Sequence, residues 1–100
     1  MSQRDVLVGI ALEEACLSVD ELAAACATER EWVVRLVREG FLPEMTGPAE
    51  DWRFSASTLA RARRIHGIER DFDAVPELAA LVADMLEEID RLRAELRRLP

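Results

Sequence analysis

Apolar and polar positions alternate first with a two-residue period and then with a helical one. Val6, Val8 and Ile10 alternate within residues 5–12, which favours a short N-terminal strand, with a helix as the alternative. Ser18-Val19-Asp20-Glu21 then has capping-box spacing and opens a short helix from Leu22 to about Cys26. Thr28-Glu29-Arg30-Glu31 has the same spacing and opens a second helix running to Glu39. Trp32, Leu36 and Val33 or Val37 supply its inner face, and Gly40 stops it. Two helices joined by so short a turn predict a helix-turn-helix. Residues 41–44 are expected to leave it extended, 45–51 to turn, and Trp52-Arg53-Phe54 to return as the second strand of a small β-wing. Ser55 or Ser57 caps a third helix from Thr58 to about Asp71, in which Gly67 costs about 1 kcal/mol relative to Ala.

Val75-Pro76 sets the next boundary, because proline suits a first helical turn and pushes its predecessor extended. The last helix runs from Pro76 to about Leu99. Val82, Ile89 and Leu96 recur every seven residues, as do Leu78, Met85, Leu92 and Leu99. These a and d positions predict self-association through Leu78, Val82, Met85, Ile89, Leu92 and Leu96. Acid lies early in the helix and arginine late, in the sense that its dipole favours.

One hundred residues, half of them apolar and a third charged, predict one globular domain with a modest core. The start, Met1-Ser2-Gln3-Arg4-Asp5, lacks the basic and apolar regions of a signal peptide, and no apolar run approaches a membrane span. A cytoplasmic location is therefore expected. Cys16 and Cys26 sit among Ala and Leu and read as buried, reduced thiols. His66 is the only histidine and no Cys-x-x-Cys occurs, so neither a metal nor another cofactor is expected. Glu13-Glu14 and Glu87-Glu88 are adjacent pairs that diverge on an element and form no catalytic dyad. No phosphate loop or nucleophile motif is present, so the expectation is a non-enzymatic protein.

The formal charge of −7, with every cation an arginine, disfavours a partner coated in phosphates and suits a basic protein surface. The second helix opens with Glu29 and Glu31, where a DNA reader would present Arg, Lys, Asn or Gln. Arg53, Arg61, Arg63 and Arg64 are the candidates for phosphate contacts in the alternative reading, a DNA-binding regulator.

Leu17-Ser18-Val19-Asp20-Glu21-Leu22, the run Glu31-Trp32-Val33-Val34-Arg35-Leu36-Val37-Arg38-Glu39-Gly40-Phe41-Leu42-Pro43, Trp52-Arg53-Phe54-Ser55, and Leu86 to Arg93 resemble the CbpM family of chaperone-modulatory proteins. That family lies within the MerR-like winged helix-turn-helix group, and the resemblance covers about residues 12–98. Ala27 stands where the family's turn glycine is usual, and Thr28 where valine is usual. The resemblance implies a mainly α fold: a winged helix-turn-helix over 1–75 and a C-terminal amphipathic dimerisation helix over 76–100, in one structural unit. It implies a homodimer that binds the J-domain of a CbpA- or DnaJ-like co-chaperone, restraining its stimulation of DnaK and its DNA binding. An acidic modulator suits the basic helix of a J-domain. Glu29, Glu31, Glu39, Glu44, Glu50 and Asp51 are the expected carriers of that attraction.

Overall fold

The computed structural model describes residues 17–99. The strand expected over 5–12 and Cys16 lie outside them. Four α-helices follow in order: α1 (Val19–Ala25), α2 (Arg30–Arg38), α3 (Ala56–Phe72) and α4 (Pro76–Arg98). A short 3-10 turn, Ala49–Asp51, precedes α3. The chain divides into two compact units, one ending at Arg63 and the other beginning at Arg64, so the boundary falls within α3.

The first capping box forms as expected. The Ser18 hydroxyl accepts from the Glu21 amide at 3.1 Å, and the Ser18 amide donates to Glu21 Oε1 at 2.9 Å. The second does not form: Glu29 is the N-cap of α2 and makes no side-chain cap. The reason is competition for Thr28, whose amide donates to the Ala23 carbonyl at 2.9 Å and so closes the preceding helix. The helices α1, α2 and α3 all end in this way. The Phe41 amide reaches Leu36 at 2.8 Å and the Ala74 amide reaches Glu69 at 3.2 Å. Each of these six-to-one bonds needs a left-handed residue just before the donor. Gly40 supplies it after α2, whereas Ala27 (φ 55°) and Asp73 (φ 51°) adopt it without being glycine.

In the unit ending at Arg63, α1 packs against α2. Val19, Leu22, Val33, Leu36 and Phe54 are its largest fully buried side chains. All four candidates for the inner face of α2 (Trp32, Val33, Leu36 and Val37) are buried. Trp52 and Phe54 turn inward and meet edge to face, with ring centroids 6.3 Å apart. The Trp52 indole donates to the Gly47 carbonyl at 3.1 Å, so its one polar atom is satisfied.

The two-stranded wing expected over 41–54 does not form among the described residues. Phe54 pairs instead with Leu17 through an isolated antiparallel bridge, with bonds of 2.7 and 2.9 Å. In the segment of the expected first strand the Phe41 and Leu42 amides go to the Leu36 carbonyl and Pro43 has no amide, so none of these residues has a donor left for a ladder. Ser55 is the residue that caps α3, accepting from the Thr58 amide at 3.2 Å.

In the second unit, Pro76 stands at the start of α4, as the sequence predicts. Arg64 in α3 pairs with Asp90 in α4 at 3.1 Å. Asp90 lies on the same face of α4 as the buried Ala79 and Ala83. Small residues let another element approach closely, and the Arg64–Asp90 pair ties α3 to this face of α4.

Candidate partner-binding surfaces

The large apolar residues of α4 are not used by that packing. Leu78, Met85, Ile89, Leu92 and Leu96 are between 41% and 67% exposed in the single chain. At 3.6 residues per turn their stripe is centred roughly a third of a turn away from Ala79 and Ala83. The helix therefore carries two faces: one of small residues, buried, and one of large residues, open to solvent. Val82, the sixth seam position, is half-buried. Leu78 and Val82 also border an apolar hollow of about 320 Å³ with Ile68, Phe72 and Ala74. Farther along, Arg91 bridges Glu88 and Glu95 on the helix surface. The hydrogen bond from Arg91 holds the Glu88 carboxyl below the usual carboxylate range.

The six acidic candidates are all exposed, and the structure separates them into two groups. Arg30 joins α1 to the 3-10 turn by pairing with Asp20 at 3.4 Å and with Glu50 at 3.6 Å. Glu29 and Glu31 flank Arg30 in the chain, and Asp51 follows Glu50. Arg30 thus has two carboxylate partners, Asp20 and Glu50, while Glu29, Glu31 and Asp51 are their neighbours in the chain. Carboxylates therefore outnumber the arginines Arg30 and Arg53 at this end of the unit. Glu39 and Glu44 belong to the far end of α2, about 13 Å along a helix of this length.

The four arginines that the alternative reading assigns to phosphate are engaged within the fold. Arg53 donates to the carbonyls of Glu50 (3.2 Å) and Trp52 (2.7 Å). The Arg61 Nε donates to the Phe41 carbonyl at 2.7 Å, and Arg63 reaches the Ala25 carbonyl, at the end of α1, at 3.4 Å. Arg64 has its Asp90 partner. Sequence reasoning passes over two others: Arg35 and Arg38, exposed on the outer face of α2, make no ion pair among the described residues. Their spacing of three residues, opposite the inner face, is the signal that could have found them.

Cys26 is buried, and burial pushes its thiol above the ordinary value. Among the described residues no group of three His, Cys, Asp or Glu could hold a metal ion. No described helix is long and apolar enough to cross a membrane.

No curated protein and no solved structure matches the chain. The family model for the MerR HTH family regulatory protein matches residues 17–100, which spans the helix-turn-helix and the whole of α4. With the α1–turn–α2 arrangement in place, the chain belongs to the MerR HTH family of regulatory proteins.

Proposed function

We propose that this protein is a non-enzymatic modulator that binds the J-domain of a CbpA- or DnaJ-like co-chaperone, and that it does so as a homodimer. On this reading it restrains the co-chaperone's stimulation of DnaK and its binding to DNA. The observation that carries the proposal is the acidic end of the helix-turn-helix unit, where Arg30 pairs with Asp20 and Glu50 and the exposed Glu29, Glu31 and Asp51 are next to them in the chain. A basic helix would be drawn there and a phosphate backbone repelled. The net charge of −7 and the CbpM resemblance support the same partner. The open seam of α4 supports the dimer: the chain leaves about twenty residues of heptad apolar surface uncovered.

The test is a charge reversal. Glu29→Lys with Glu31→Lys should slow association with the J-domain and flatten its dependence on salt. Equal association rates for the variant and the unaltered protein would remove the start of α2 from the interface.

The family match itself favours a second reading, a DNA-binding regulator. That reading expects duplex binding that weakens steeply with salt. A mobility-shift series with no complex at low salt rejects it.

A further inference from the structure

Resting on the partner-binding reading above, we infer that the outer face of α2 is a mixed-charge docking groove for an amphipathic helix of a partner protein. The carboxylates of that helix would lie against Arg35 and Arg38. The groove is made of two hollows. One, of about 230 Å³, lies between Arg30, Glu31, Val34, Arg35 and Arg38. The other, of about 510 Å³, continues past Arg38 over Val37, Phe41, Leu42 and Pro43 to Arg61. Arg38 lines both, so the two hollows adjoin at its side chain, one beside the helix and one at its end.

Its chemistry is that of a helix-binding groove. The apolar lining is Val34 on the outer face, and Phe41 and Pro43 with an edge of Val37 at the end of the helix. Within the unit that ends at Arg63, Arg30, Arg53, Arg61 and Arg63 each donate to an acceptor inside the fold, whereas Arg35 and Arg38 have none among the described residues. Two exposed guanidinium groups beside an apolar lining suit carboxylates that flank apolar anchors, because Arg holds a carboxylate with two parallel bonds.

The order of charges decides against a nucleic acid. Arg30 and Arg61, which also line the groove, are held by partners within the fold; the charges left over run Glu31, Arg35, Arg38 and Glu44. A uniform polyanion gains at two positions and loses at two. A protein helix with acid in the middle and base at its ends gains at all four. Alternation of this kind gives specificity by rejecting wrong partners as well as attracting the right one.

The experiment uses the full-length protein, labelled with ¹⁵N, and two synthetic helical peptides with the same leucine face. One carries Glu beside the leucines and the other Lys at those positions. The Glu peptide should shift the amides of Val34, Arg35, Arg38 and Phe41, and Arg35→Glu with Arg38→Glu should weaken its binding about tenfold. The control Arg97→Glu with Arg98→Glu makes the same charge change at the end of α4 and should leave the peptide's affinity unaltered. Equal binding of the two peptides, or no shift in those amides, overturns the inference. So does a 20-base-pair duplex that perturbs the same amides at physiological salt and displaces the Glu peptide. The peptides are independent of the J-domain, so the groove is tested even in a protein that binds no J-domain.

Discussion

Ala27 shows how a single residue is held against its own preference. Its left-handed backbone is imposed by the six-to-one bond from Thr28 that ends α1, and its β-carbon resists that conformation. Ala27→Gly should therefore raise stability by about 1 kcal/mol, read as an upward shift of the urea midpoint. Gly67 is the reverse case. It lies inside α3 with helical backbone, and a β-carbon there would meet only the end of the Arg70 side chain, at 3.9 Å. Gly67→Ala should stabilise by about 1 kcal/mol for want of the glycine's extra chain entropy. A midpoint unchanged or lowered by either substitution contradicts this assignment. At Glu21 the effect is on pH. The hydrogen bond from the Ser18 amide holds the Glu21 carboxyl below its ordinary value, and the nearby Arg53 adds to this. A depressed pKa contributes stability above the unfolded value and loses it as pH falls through the folded one. The stability difference between the unaltered protein and Glu21→Gln should thus be present at neutral pH and vanish on acidification, in paired melts across that range.

Among the helices, α4 carries the most consequential division. Its small residues are buried and its large ones open, so the two faces can be altered separately. Ile89→Asp or Leu92→Asp puts charge into the seam, where a second copy would have to bury it. Both positions are more than 40% exposed in the single chain. Each variant should keep its helical circular dichroism and sediment as a monomer. Sedimentation as an intact dimer would remove this stripe from self-association. The helices themselves are legible in the sequence, because Ser18, Gly40 and Pro76 mark their ends by chemistry that local residues complete. The wing is not. Trp52-Arg53-Phe54 has the pattern of a strand, but strand partners are chosen by tertiary packing, and Phe54 pairs with Leu17. Thr28 misleads for a related reason, since a capping box cannot form when its amide already ends another helix. The acidic candidates are found by composition. Their division into two groups depends on Arg30 reaching both Asp20 and Glu50, and residues so far apart in sequence give no sign of that.

Across the full chain, charge and apolar surface point to different tasks. On the proposed reading the acidic end of the helix-turn-helix unit and the groove along α2 would meet a partner of another kind, and the seam of α4 a second copy. A family fold associated with regulatory proteins thus presents, on its second helix, carboxylates among its cations. The deciding measurement is a calorimetric titration of the full-length protein, at physiological ionic strength, with a DnaJ-type J-domain and separately with duplex DNA. Saturable binding to the J-domain and none to the duplex is the expected result. Tight, sequence-selective binding to the duplex with no heat from the J-domain would contradict it.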